Sequence, residues 1–254
     1  MRRVIFNQKG GVGKSSIAAN LAAISAAKGK RTLVVDLDQQ CNASHYLLGR
    51  EASEKGDNVA GFFEQFLSFR LLLKNPEEYV VASPYENLSV IPASPALGEL
   101  QSRLEAKHKI FKLRDALRRL NESFDAIYID TPPALNFYTL SALIAAECCL
   151  IPFDCDQFSR EALYTLMENV AEIREDHNPR LKVEGIVVNQ YLPRANLPQR
   201  LVSQLESEDL PVLKTRLSSS IKMRESHEAG VPLVHLAPKH KLTQEFVALY
   251  GELH

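Results

Sequence analysis

The chain lacks most features that would set it apart from ordinary globular proteins. No uncharged apolar run reaches the roughly 18 residues that a membrane span needs. The best candidate, 142–153, is interrupted by Glu147 and stopped by Pro152. The basic start Met1-Arg2-Arg3 leads into an apolar run that ends at Asn7, too short for a signal peptide. Only four cysteines occur, Cys41, Cys148, Cys149 and Cys155, with no CxxC pair and no framework spacing. That excludes a disulfide scaffold, and a chain of 254 residues can bury a core without staples. Reduced thiols and a cytoplasmic location are the expectation. The seven histidines show no metal-ligand spacing and read as surface or loop residues. An excess of charge is also missing, with 30 Lys and Arg against 31 Asp and Glu, a net −1. Bulk basicity therefore cannot draw nucleic acid, and any such affinity needs a local patch. There is no internal repeat, low-complexity tract or convincing linker.

What is present is the composition of a folded soluble chain, 45% apolar and 24% charged. Short β-branched runs at 3–6, 32–37, 88–91, 126–129, 148–151 and 183–188 read as buried parallel strands. Helical patterns lie between them at 15–27, 97–106, 110–121, 140–146, 160–174 and 198–206. Leu163, Leu166, Met167, Val170 and Ile173 follow the spacing of one helix face. This alternation predicts an α/β fold, a doubly wound and mostly parallel sheet with helices on both faces, as a single domain over 1–254. Residues 49–58 read as an exposed loop, and 213–232 as an ordered surface loop with a short helix. In such a sheet ligands gather at the carboxyl ends of the strands, so the loops after Phe6, Leu37 and Ile129 carry most interest.

The first of those loops holds the strongest motif, Lys9-Gly10-Gly11-Val12-Gly13-Lys14-Ser15-Ser16, between a strand and a helix. Glycines let consecutive backbone N–H groups turn inward as an anion nest, and the helix N-terminus adds to the pull on phosphate. Lys14 suits the β- and γ-phosphates of ATP, and the Ser15 hydroxyl suits Mg²⁺. A strict G-x-x-x-x-G-K-[ST] pattern misses this loop, because Gln8 stands at its first position and Lys9 follows. The segment resembles the deviant Walker A motif of the ParA/MinD ATPases.

The resemblance extends along nearly the whole chain. Asp36-Leu37-Asp38-Gln39-Gln40-Cys41-Asn42-Ala43 resembles the family's first switch, D-x-D-P-Q-G-N-A, with Gln39 and Cys41 in place of Pro and Gly. Glycine would tolerate positive φ where Cys41 stands. Segment 124–133 resembles the Walker B strand and second switch, and 85–94 and 225–232 also look like ParA segments. By resemblance, Asp130 holds Mg²⁺ through a coordinating water and Asp38 orients the attacking water, with Asp36 in a supporting place. The resemblance also implies that Lys9 crosses an ATP-bound homodimer to the partner's phosphates, as an arginine finger does in trans. Asn189, after a buried strand, fits either an adenine contact or a turn.

The resemblance implies a partition ATPase that dimerises on ATP, binds DNA nonspecifically, and is released when a ParB-like or other cargo adaptor stimulates hydrolysis. Between Gln190 and Arg224 stand six basic residues, Arg194, Arg200, Lys214, Arg216, Lys222 and Arg224, against three acids. By position Arg194, Lys222 and Arg224 are the first candidates for DNA, then Arg200 and Arg216; a merely solvated surface is the other reading. A MinD-like membrane cycle needs a basic amphipathic tail, whereas 242–254 carries two acids and no Lys or Arg. An ATP-dependent metabolic ligase would share the fold but has no motif of its own here. The first strand opens the chain, so no operator-binding helix-turn-helix is expected ahead of it.

Overall fold

The computed structural model describes residues 1–68, 72–155 and 159–254. Seven strands form one sheet: β1 (Arg2–Ile5), β2 (Thr32–Asp36), β3 (Val81–Ala82), β4 (Leu88–Ile91), β5 (Ala126–Asp130), β6 (Cys148–Asp154) and β7 (Lys182–Asn189). Their order is β3-β4-β2-β5-β1-β6-β7. Every neighbouring pair is parallel except β3 with β4. The six expected strands all form; the two-residue edge strand β3 was too short to leave a periodic signal.

Around the sheet lie α1 (Lys14–Ala27), α2 (Asn42–Leu48), α3 (Arg50–Glu54), α4 (Val59–Glu64), α5 (Leu97–Ala106) and α6 (Lys112–Leu120). Then follow α7 (Phe137–Ala145), α8 (Ser159–Asp176), α9 (Asn196–Ser207), α10 (Ile221–Ala229), α11 (Leu233–Leu236) and α12 (Lys241–Glu252). Alternate strand residues face opposite sides. Val4, Leu33, Val35, Ile127 and Ile129 pack with Phe63, Leu97, Leu117, Leu143 and Leu166. Ile5, Val34 and Tyr128 pack with Ile17, Leu21, Tyr46, Phe246 and Leu249 on the other face. Covering both faces explains why β2 and β5 are buried at every position, Asp36 and Asp130 included. Helix α1 is buried around most of its circumference, and its run of alanines lets it lie close against the sheet.

One expectation needs correcting, and a second, the absence of a membrane-cycling tail, agrees with the packing. Part of 49–58 is helical, because 50–54 closes as α3 directly after α2. The tail has no membrane-type face: α12 turns Leu242, Phe246, Leu249 and Tyr250 into the core shared with α1. Among the described residues no helix is long and apolar enough to cross a membrane.

Candidate active site

Strand register assembles the site. Asp130, the last residue of β5, lies level with Ile5 on β1 and with Asp36 on β2. The glycine loop leaves β1 at that same level and runs into α1. Gly11 and Gly13 take positive φ, +77° and +89°, which side-chain-bearing residues rarely adopt. Asn7 sets the entry, donating to Pro152 O at 2.7 Å and accepting from Lys9 N at 2.9 Å. From the end of β7, Asn189 Nδ2 donates to Val12 O and Gln190 Nε2 to Gly11 O, both at 2.9 Å. Two loop carbonyls are thus held on the β7 side. The N-cap of α1 is Gly13, which has no side chain to take up the first N–H groups and leaves them suited to an anion. Lys14 is buried and its Nζ donates to Lys9 O at 2.9 Å. Burial lowers its pKa, and Asp130 and Asp38 oppose that shift.

The carboxylates differ sharply in their partners. Asp36 is fully buried and satisfied: Oδ2 accepts from Ser44 N at 2.9 Å and Ser44 Oγ at 2.7 Å, and Oδ1 from Asp38 N at 3.0 Å. It shapes the loop and cannot serve as a free ligand. Asp38 Oδ1 accepts from Gln40 N at 3.0 Å, which leaves the carboxylate on the wall of the phosphate-loop cleft. Cys41 adopts φ +56°, so the left-handed turn is kept without the glycine. Burial pushes its thiol up to about 12, which keeps it protonated. Asp130 is fully buried, and neither carboxylate oxygen has a hydrogen-bond partner among the described residues. Its pKa is raised, first by burial and then by the Asp36 carboxylate, while the neighbouring Ser15 hydroxyl and Lys14 favour its charge. A buried carboxylate left unpartnered is costly, and a cation beside Ser15 would relieve it. The donor set therefore fits Mg²⁺.

Two cavities meet at the loop. One, of about 370 Å³, is lined by Gly10, Lys14, Ser15, Asp38 and Asn42 among others. The second, of about 260 Å³, runs from Asn189 past Ser218–Ser220 to Met223, Arg224 and Phe246. Gly11, Gly13, Ser16 and His227 border both. Sequence reasoning did not single out Ser218, Met223, His227 or Phe246. Backbone pairing of Tyr191 with Leu217 and Ser219, and the packing of α12, bring them here, and neither leaves a local motif. His227 was expected on the surface with the other histidines. It is instead half-buried on α10, with Nε2 2.8 Å from Ser16 Oγ.

A family model described as an AAA domain matches residues 3–183. The chromosome partitioning protein ParA of Myxococcus xanthus is 35% identical over 98% of this chain and 86% of its own length. The chromosome-partitioning ATPase Soj of Thermus thermophilus is 35% identical over 94% of this chain and 89% of its own. The chain belongs to the ParA/Soj family of P-loop ATPases. Cobyrinic acid a,c-diamide synthase from Mycobacterium smegmatis, solved with a bound ATP analogue and magnesium, shares the fold with TM-score 0.84. It is 23% identical, covering 99% of this chain and 93% of that one, so the likeness extends to architecture alone.

Within this ParA/Soj chain the remaining candidates fall in distinct places. Lys9 Nζ stands 3.6 Å from Asp154 at the end of β6. Arg194 and Arg200 are exposed and make no ion pair with a described residue. Lys222 pairs with Glu225. Arg216 is taken up by Tyr191 Oη at 3.0 Å and Glu206 at 3.3 Å, its guanidinium over the Tyr191 ring. Arg224 borders the second cavity, so it faces the loop as well as solvent.

Proposed function

We propose that this chain hydrolyses ATP and works as a partition ATPase that dimerises when ATP-bound, binds DNA without regard to sequence, and leaves it on hydrolysis. The observation that carries the reading is the buried, unpartnered carboxylate of Asp130 beside Ser15, at the foot of a loop that holds Lys14. Ser15 and Asp130, the latter directly or through water, would hold Mg²⁺, whose charge neutralises the transferring phosphoryl group. No group of three or more His, Cys, Asp or Glu that could hold a metal stands among the described residues, so the nucleotide's phosphates would complete the shell. The N–H groups of Gly10–Ser16 cradle the phosphates, and Lys14 exchanges the Lys9 carbonyl for phosphate oxygens. Asp38, on the wall of the same cleft, orients the attacking water.

Lys9 supplies the second subunit's contribution. Its ammonium leaves Asp154 for the phosphates across the dimer, a class of contact worth roughly 10³–10⁵ in rate. Asn189 borders the second cavity with Nδ2 engaged on Val12 O, so Oδ1 is left to accept from the amino group of adenine. A ParB-like or other adaptor stimulates the reaction, and plasmid, chromosome or a protein assembly is the cargo. The chain then works in the cytoplasm, on the nucleoid. The core packing of α12 speaks against membrane cycling through the tail.

The test is ATP turnover and sedimentation of three variants beside the unaltered chain. Lys14→Ala should bind ATP at least tenfold more weakly, on the order of a lost charged hydrogen bond. Lys9→Ala should bind ATP yet neither dimerise nor turn over. Asp38→Ala should accumulate an ATP-bound dimer. Wild-type turnover in Asp38→Ala would move the hydrolytic role elsewhere, and a normal ATP dimer in Lys9→Ala would end the trans assignment.

A further inference from the structure

Ser16 and His227 form the join between the two cavities, and their contact is a hydrogen bond of 2.8 Å. The imidazole is held from behind. Its ring stacks on Tyr46 of α2, with centroids 4.2 Å apart and planes at 25°. The Tyr46 hydroxyl is fixed in turn by the buried Ser226 hydroxyl and by Asn20 Nδ2 at 3.3 Å. Asn20 Nδ2 also reaches Ser16 O at 2.9 Å, and its Oδ1 accepts from Leu233 N at 2.9 Å. Elements α1, α2, α10 and α11 thus converge to fix one ring against one hydroxyl. A core histidine would need no such aim at the phosphate loop.

The hydroxyl of Ser16 has one proton to give. In the free protein it can donate to His227 Nε2, or accept from it, since either tautomer satisfies the pair. Nδ1 has no partner among the described residues, so nothing else selects the tautomer. A phosphate oxygen is an acceptor only. Once Ser16 donates to it, the bond to His227 survives only if Nε2 carries the proton. Burial lowers the ring's pKa, which favours the neutral imidazole that has this choice to make.

We propose that His227 is a positioning residue of the phosphate site: nucleotide binding selects its Nε2–H tautomer, which donates to Ser16 Oγ while Ser16 donates to a phosphate oxygen. No bond other than hydrogen bonds is made, and no net proton is taken up. The relay polarises the hydroxyl toward phosphate and fixes its rotamer, a cooperative pair rather than two separate contacts. The proposal rests on reading the cleft as the nucleotide site.

The full chain, labelled with ¹⁵N at histidine and at backbone amides, is titrated with ADP and Mg²⁺. Long-range proton–nitrogen correlations should show the His227 ring passing from a mixture of tautomers to Nε2–H as the amides of Gly11–Ser16 move. His227→Phe keeps a ring on Tyr46 but has no donor, and should weaken ADP binding roughly three- to tenfold. His227→Gln restores an N–H donor and should bind within about twofold of the unaltered chain. Loop amides that move while the tautomer mixture stays unchanged would overturn the relay. So would full affinity in His227→Phe. Loop amides that do not move at all would remove the nucleotide reading, and this proposal with it.

Discussion

A Cβ built at position 13 would come within 2.3 Å of Asn189 Nδ2, on a backbone already at φ +89°. Those two facts make Gly13 the least replaceable glycine of the loop. Left-handed backbone costs a side-chain-bearing residue roughly 1–2 kcal/mol. The close approach adds a second loss, because Asn189 would have to leave Val12 O, the carbonyl it holds at 2.9 Å. Gly13→Ala should therefore lower the thermal midpoint and weaken ATP binding by more than tenfold. Calorimetry with and without nucleotide reads both, and an unaltered affinity would show that the loop tolerates another path. Cys41 is the contrasting residue. It holds φ +56° where the family pattern has glycine, and the turn survives because its small side chain is buried in the core cluster of that sheet face. Glycine is thus needed where a second group also comes close, as at Gly13, and replaceable where only the dihedral is unusual.

Elements announced themselves in the sequence when their periodicity was local and vanished when tertiary contact defined them. The strands β2 and β5 were legible because both faces are covered, which leaves unbroken apolar runs ending in Asp36 and Asp130. The loop before α1 was legible because its chemistry lies within eight consecutive residues. Helix α10 was legible only as an unplaced short helix within 213–232, since its nine residues carry one fully buried side chain, Ser226, and no apolar stripe. Its place is fixed by contacts to Ser16, Tyr46 and Val231 that no local pattern encodes. Pairings at element ends are similarly silent, and one of them has a measurable signature. Arg31, just before β2, donates to the Asp125 carboxylate just before β5 at 2.8 Å and 3.2 Å. The guanidinium hydrogen bonds hold that carboxyl down to about 2, below its ordinary 3.8. A folded-state pKa below the unfolded one stabilises above the unfolded value and is lost as pH falls through the folded one. Asp125→Asn should accordingly lower the thermal midpoint slightly above pH about 4, the pair being exposed, and the gap should close toward pH about 2. A gap that stays constant across that window would mean the ion pair contributes nothing.

At the scale of the whole molecule a net charge of −1 gives DNA no general attraction, so the binding proposed for the ATP dimer must come from a few placed cations. The structure separates those cations by what already holds them. Arg216 is bound to Tyr191 and Glu206, and Lys222 to Glu225, so each must give up a partner before it meets a phosphate. Arg224 borders the second cavity, where a nucleotide bound as proposed would share its charge. Arg194, in the loop after β7, and Arg200, on α9, are exposed, make no ion pair with a described residue, and can meet phosphates at no such cost. They should therefore dominate the salt dependence. A two-fold dimer presents each of them twice, so up to four phosphates are neutralised, at a slope of roughly −0.9 per phosphate in log affinity against log salt. Arg194→Gln with Arg200→Gln should flatten that slope by about one to four while leaving ATP affinity and the ATP dimer intact. Arg216→Gln should change it by less than about one and cost stability instead, through the lost stack on Tyr191. Anisotropy of a labelled random duplex, read between about 50 and 200 mM salt, measures each slope. A double variant with the full slope would move the DNA face away from the β7–α9 edge. An ATP-bound dimer with no salt-sensitive affinity for duplex DNA would remove the partition mechanism itself and leave only the nucleotide chemistry of the loop.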